Sequence, residues 1–292
     1  MTATALIIHS PSLTQTQMAL ITQTLGHPPE PVDQHHRVTL PADHAMAQDQ
    51  ATLETQLHQL REQLQIDINR LPSDFDPTQT QLMISDMDST LIGIECVDEI
   101  ADMLSIKPQV AAITEAAMRG ELDFEQSLIQ RVALLKGLAV DQLDKVFNER
   151  LVLNPGARTW IAGLKQRQIQ FALVSGGFTF FTERLKQQLE LDHALANQLD
   201  IVDQTLTGQL TGAIVGAQAK AQFLQDLCQT HGFDCAHTIA IGDGANDLEM
   251  MQTAGLSIAY HAKPKVQAHA DICINHGGLD KVLDLLPANT TR

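Results

Sequence analysis

A chain of 292 residues with 44% hydrophobic content and 17 glycines has room for one large domain or two smaller ones and can bury a packed core, which excludes global disorder. Its formal net charge of −16 argues against nucleic acid or an anionic membrane as partner, although a bound metal and a few cations can still reverse the field inside one pocket. Four cysteines (Cys96, Cys228, Cys235 and Cys273) form no CxxC pair and read as buried free thiols of a reducing compartment.

The first ten residues carry no basic region and too short an apolar run for a signal peptide, and no run approaches the ~20 apolar residues that span a bilayer. A soluble cytoplasmic protein is the expectation. Ala5 to Ile8 reads as a strand, Leu13 to Leu25 as a helix stopped by Gly26, and His36 to Leu40 as a half-buried strand. Gln48 to Leu64 places Leu53, Leu57, Leu60 and Leu64 at helical spacing. Ile66 to Asn69 is a last short strand. The adjacent His35 and His36 read as surface loop, because no third metal ligand lies near them in sequence. This order suggests a small α+β module over 1–75, ferredoxin-like or ACT-like, followed by a linker in the Pro-containing stretch 71–78.

The run Leu82-Met83-Ile84-Ser85 reads as a buried parallel strand that delivers Asp86 and Asp88 to its C-terminal edge. Two carboxylates held that close imply a divalent metal, an acid/base pair, or both. A helical stretch follows from about 94 to 153. Helices and strands then alternate: 157–167, 171–174, 179–189, 219–229 and 238–241, with a hairpin in 206–215. That alternation predicts a doubly wound parallel sheet over 76–292. Strand ends supply Ser175-Gly176-Gly177 and Gly242-Asp243-Gly244-Ala245-Asn246-Asp247, and Lys220 sits in a helix between them. A nucleophile, hard oxygen ligands, backbone N–H donors and a cation are the parts phosphoryl transfer needs.

These four motifs, in this order, resemble the haloacid dehalogenase (HAD) superfamily, and within it the phosphoserine phosphatases. The likeness runs from about residue 80 to the C-terminus. Glu95, at its spacing from Asp86, and Phe124-Glu125-Gln126-Ser127-Leu128 leading to Arg131 are similar to the helical cap of those enzymes. The resemblance implies a Rossmann-like α/β fold and hydrolysis of O-phospho-L-serine, the last step of serine biosynthesis. It implies Asp86 as nucleophile and Asp88 as general acid and base. Mg²⁺ would be held by Asp86, the Asp88 carbonyl and Asp243, with Asp247 orienting a metal-bound water. Ser175, the Gly176 N–H and Lys220 would hold the phosphoryl oxygens, supported by Asn246. Arg131 would grip the substrate carboxylate and Glu95 its ammonium, while Met118 and Phe124 close over the carbon skeleton. Two other readings stay open: a HAD phosphatase or phosphotransferase for another phosphorylated amino acid, and a signalling module whose aspartate is a stable phosphoacceptor. The partner expected is small-molecule phosphoserine, with a homodimer as one expected assembly. The N-terminal module would be either an amino-acid sensor or a structural dimerisation piece.

Overall fold

Strand β1 (Thr4–Ile8) sends its side chains alternately into two cores. Leu6 and Ile8 pack with Ile21, Leu25, Leu53, Leu57 and Leu60 of the N-terminal helices, while Ile7 faces the core of the larger domain. The computed structural model describes residues 3–288. After β1 come α1 (Gln15–Leu25), β2 (Glu30–Val32), β3 (His35–Leu40), α2 (Ala45–Gln48), α3 (Gln50–Leu64) and β4 (Ile68–Arg70). The four strands form an antiparallel sheet in the order β2-β3-β1-β4. Apart from the single turn α2, this is β-α-β-β-α-β connectivity, the ferredoxin-like pattern.

Three details depart from expectation here. The helix predicted over 48–64 begins at Gln50, two residues late, because the Asp49 carboxylate accepts from the Thr52 N–H at 3.1 Å and caps it, leaving Ala45–Gln48 as a separate turn. Strand β2 is three residues long with no apolar alternation to announce it. His35 and His36 are not surface loop: both lie on β3 and are buried. Burial is tolerated because each ring has a partner. His36 Nδ1 is 2.9 Å from the Ser10 carbonyl, and His35 Nδ1 is 3.6 Å from the Asp284 carboxylate.

The second part opens with β5 (Leu82–Ser85), all of it buried. Four helices follow: α4 (Cys96–Met103), α5 (Lys107–Met118), α6 (Phe124–Ala133) and α7 (Val140–Lys145), the last running into a π-helical turn, Val146–Arg150. Next come α8 (Ala157–Gln166), β6 (Gln170–Phe178), α9 (Thr179–Leu189), β7 (His193–Val202), β8 (Thr205–Thr211) and α10 (Ala217–His231). The chain ends with β9 (Thr238–Gly242), α11 (Leu248–Thr253), β10 (Leu256–Tyr260), α12 (Pro264–Gln267), β11 (Ile272–Ile274) and a 3₁₀ segment, Leu279–Leu285. These strands make one sheet, β11-β10-β9-β5-β6-β7-β8, parallel except that β8 runs antiparallel to β7. The hairpin predicted within 206–215 is instead this β7–β8 pair, with Gly212 at φ 77 beyond its end.

Sheet order positions the site. Strand β5 is central, flanked by β6 and β9, so the residues after all three strands meet at one edge. Both faces of β5 are covered, Met83 in one core cluster and Leu82 and Ile84 in the other, which explains its unbroken apolar run.

The two sheets are joined by buried polar contacts. The Asn69 side-chain amide donates to the Cys273 carbonyl at 2.8 Å and its oxygen accepts from the Cys273 N–H at 3.1 Å. Asp67 accepts from the N–H groups of Asn275 and His276, at 2.9 and 2.7 Å. His9 Nδ1 lies 3.0 Å from Asp284. The side chains of β4 thus satisfy β11, the outer strand of the large sheet, which would otherwise present unpaired backbone. Cys96 and Cys228 are buried, Cys235 and Cys273 half-buried, and all four are unpaired thiols. No helix among the described residues is long and apolar enough to cross a membrane.

Candidate active site

Beyond Ser85 the chain turns sharply. The Met87 carbonyl accepts from the N–H groups of Thr90 and Ile92, and Ser89 takes a left-handed φ of 57°, a conformation a non-glycine residue adopts at some cost. The turn aims Asp86 and Asp88 over the sheet edge. Asp86 is buried, and its N–H is held by the Ile241 carbonyl at 3.0 Å.

Lys220 is completely buried. It comes from the second turn of α10 and donates to Asp86 Oδ1 at 2.5 Å and to Asp247 Oδ1 at 2.7 Å. Burial opposes its charge, but Asp247 and Asp86 outweigh that and raise its pKa. The other Asp247 oxygen accepts from the Gly244 N–H at 3.0 Å. Gly242 must lack a side chain, because a Cβ there would run into the Asp247 carboxylate.

Asp88 accepts from the Cys96 N–H at 3.0 Å, at the start of α4, and from Ser175 Oγ at 3.4 Å. Burial, with Glu95 adding like charge, pushes its carboxyl up to about 7. Asp243 is pushed up to about 6 by burial, then by Asp247 and Glu95, against the pull of Lys263 and Lys220. Asp86 is also raised, by burial first; Lys220 resists, while Asp247 and Asp88 add to the rise. Ser175 Oγ accepts from the Gly177 N–H at 2.8 Å. Gly177 is bare for a reason: a Cβ would sit 2.9 Å from Asp88 Oδ2 and 3.0 Å from Ser175 Oγ.

Carboxylate oxygens of Asp86, Asp243 and Asp247 all lie within 4.8 Å of one another. Hard oxygen donors at that spacing suit a small divalent cation. Both Asp247 oxygens are engaged by Lys220 and Gly244, whereas Asp86 Oδ2 has no hydrogen-bond partner among the described residues and Asp243 has only a 3.4 Å contact from Thr90 Oγ1. The free lone pairs therefore belong to Asp86 and Asp243, and Asp247 is left to a supporting place.

A cavity of about 270 Å³ opens above these groups. It gathers Asp86, Asp88, Glu95, Phe124, Arg131, Ser175, Gly176, Asp243 and Asn246, so nearly every residue singled out from sequence meets there. Lys220 and Asp247 lie just beneath. Glu95 precedes α4 and accepts from Ser89 Oγ at 2.6 Å. Arg131 projects from α6, where burial lowers its pKa against the pull of Asp98, Glu95 and Asp88. The side chain of Met118 lies outside what the structure describes.

Sequence reasoning passed over three contributors. Lys263 lines the cavity at the end of β10, and its N–H donates to the Asp243 carbonyl at 3.3 Å. Asn154 donates to the Thr90 carbonyl at 2.7 Å and holds the turn that carries Asp86 and Asp88. Asn197 donates to the Gly176 carbonyl at 2.9 Å and accepts from the Val215 N–H at 2.8 Å. Recognising Leu256–Tyr260 as a fourth parallel strand would have brought Lys263 to the same edge; the two asparagines carry no local signal.

Comparison with known proteins agrees with this geometry. Residues 83–252 match the model of the haloacid dehalogenase-like hydrolases. A phosphoserine phosphatase of Polaromonas sp. is 49% identical over 224 residues, 75% of this chain and 95% of that one. One from Haemophilus influenzae is 51% identical over 228 residues, 77% of this chain and 72% of that one. Among solved structures, a HAD family hydrolase from Salmonella enterica serovar Typhi has a TM-score of 0.88 at 34% identity, covering 97% of this chain and 98% of that one. A probable phosphoserine phosphatase from Vibrio cholerae has a TM-score of 0.83 at 39% identity, covering 97% and 86%. The chain belongs to the haloacid dehalogenase-like hydrolases.

Proposed function

We propose that this protein hydrolyses O-phospho-L-serine to L-serine and phosphate in two displacements, with Mg²⁺ as cofactor. The observation that carries the reading is the single cavity of about 270 Å³: the reacting carboxylates, an arginine and an outlying glutamate share it, and it suits a small substrate. Phosphoserine has a phosphate for one end and a carboxylate and ammonium for Arg131 and Glu95 at the other. The activity named for the Polaromonas and Haemophilus relatives supports the same assignment.

In the first displacement, Asp86 Oδ2, free of Lys220, attacks phosphorus, and the P–O bond to the seryl oxygen breaks. Asp88 hands its proton to that oxygen as it leaves. A carboxyl pushed up to about 7 can hold a proton near neutral pH and give it up on demand. Water then attacks the aspartyl-phosphate, Asp88 takes the water's proton, and phosphate departs. Ser175, the Gly176 N–H and Lys220 hold the phosphoryl oxygens as charge shifts. Asp86, the Asp88 carbonyl and Asp243 would hold Mg²⁺, with Asp247 supporting from behind. When bound, the ion neutralises charge on the phosphoryl group. Phe124 excludes water from the carbon skeleton.

The experiment is phosphate release across phosphoserine, phosphothreonine, phosphohomoserine and simple sugar phosphates, with Mg²⁺ and with chelator. Phosphoserine turnover that dominates the panel and vanishes on chelation is the expected result. A stable phosphoprotein without turnover would transfer the site to signalling; a different preferred substrate would reassign the cap residues.

A further inference from the structure

Phe124 is wedged between two glycines from different elements. A Cβ built at Gly176, on β6, would lie 3.0 Å from the ring's Cζ; one built at Gly216, just before α10, would lie 3.3 Å from its Cδ1. Neither glycine has a positive φ, and Gly216 sits at φ −107°, ψ −162°, extended backbone open to any residue. What these positions require is the missing side chain. The width of the gap is set by a third residue. Asn197, buried to within 2% of full enclosure, bonds the Gly176 carbonyl with its N–H₂ and the Val215 N–H with its oxygen, so it ties the two glycine-bearing segments together. The ring also stands between two cavities. On one side is the 270 Å³ cavity with the carboxylates; on the other is a groove of about 650 Å³ lined by Asp123, Gly216, Gln218 and Gln222, and Phe124 lines both.

We infer that Gly216 and Asn197 are positioning residues for substrate selection: they build a slot that seats the Phe124 ring as the wall closing the cavity on phosphoserine. The inference rests on the reading of Phe124 given above. The Gly216 carbonyl accepts the Lys220 N–H at 3.0 Å, a bond between backbone atoms that does not depend on the missing side chain, so a Cβ at Gly216 leaves the lysine where it is. A displaced ring would leave Asp86 and Lys220 in place while opening the substrate's amino-acid end to water.

The test is a double-mutant cycle of Gly216→Ala with Phe124→Ala, read as kcat and KM on phosphoserine and on p-nitrophenyl phosphate. Gly216→Ser is run beside it, since serine is a preferred N-cap and leaves no helix-starting defect to blame. Moving the ring by a few tenths of an ångström should cost roughly tenfold in kcat/KM for phosphoserine, mostly through KM. Turnover of the aryl phosphate should stay within about twofold, and in the Phe124→Ala background Gly216→Ala should be silent to the same margin. A loss from Gly216→Ala that is equal with and without the ring, equal on both substrates, or absent overturns the slot. Phe124→Ala that leaves phosphoserine turnover intact instead sinks the reading of the ring itself, so the two failures are told apart.

Discussion

Lys220→Met tests the electrostatic centre of the site. Methionine nearly matches the lysine stem in volume, so the fold around α10 need not repack. What is lost is, among the described residues, the cation in contact with two buried carboxylates. Lys220 is fully enclosed, at 2.5 Å from Asp86 and 2.7 Å from Asp247, and those carboxylates approach each other within 4.8 Å. Removing one partner from a buried ion pair costs about 3–5 kcal/mol, because the remaining charges are left uncompensated. Two stranded carboxylates put the expected loss at the upper part of that range, measured by urea unfolding in chelator. Mg²⁺ binding beside Asp86 should restore part of the stability, growing with its concentration as linkage requires, and should stabilise the variant more than the wild type. Phosphoserine turnover should stay negligible even at saturating Mg²⁺, since the ion does not replace the contact proposed between the lysine and phosphoryl oxygen. Wild-type stability for Lys220→Met in chelator, or equal Mg²⁺ stabilisation of both proteins, would refute the reasoning.

Other outcomes follow from the same geometry. Asp86→Asn should lower turnover by at least about a thousandfold while costing far less stability than Lys220→Met, because Lys220 keeps Asp247 as its partner; the contrast is read from kinetics and calorimetry on one preparation. Arg131→Ala should lose about 2–5 kcal/mol of transition-state stabilisation on phosphoserine and far less on an aryl phosphate, which has no carboxylate; equal losses would move Arg131 from recognition to the fold. Asp284, in contact with His9 and His35, is held below the ordinary carboxylate range despite the opposing effect of burial, through its hydrogen bonds to the two histidines. Its contribution to stability is therefore present above the unfolded carboxylate pKa and is lost as pH falls through the lower folded value. Asp284→Asn should flatten that acid limb of the stability profile, followed by denaturant unfolding between pH 2 and 6.

The elements legible in the sequence were those with their own local signature. Thr179–Leu189 begins and ends where its apolar spacing does, and Leu82–Ser85 is an unbroken apolar run because both faces of β5 are covered. The meeting of the motif residues at one sheet edge was legible as well, since each motif closes a strand and parallel strands end together. The start of α3 was less so: the leucine spacing begins only at Leu53, and it is the Asp49 carboxylate's bond to the Thr52 N–H that fixes the first turn at Gln50. His35 and His36 were misread because their partners, Asp284 and the Ser10 carbonyl, are brought by tertiary folding and not by neighbouring sequence. The short strands β2 and β11 have three residues each and too little pattern to distinguish them from loop. Asn197 and Gly216 remained silent for a related reason: a carboxamide bridging two segments and a glycine chosen for a neighbour's ring have no periodicity.

The join between β4 and β11 also sets the order in which the molecule can be completed. Asn69 meets Cys273 across 204 residues, Asp67 meets His276 across 209, and His9 meets Asp284 across 275. The antiparallel sheet is therefore made well before the strand it must meet, with Asp67 and Asn69 still hydrated and the Ile7 face uncovered until β11 follows. Loop closure over such distances adds little more free energy than closure over half the span, but it delays the reward until both partners exist. A nascent chain stopped before Cys273 can form the interior of the N-terminal sheet, but it lacks both the bonds to β11 and the core residues Ile274, Leu279, Val282 and Leu285 that share a cluster with Ile7. Such a chain leaves an apolar face and an open strand edge exposed together, the two features that make unfinished chains prone to aggregate.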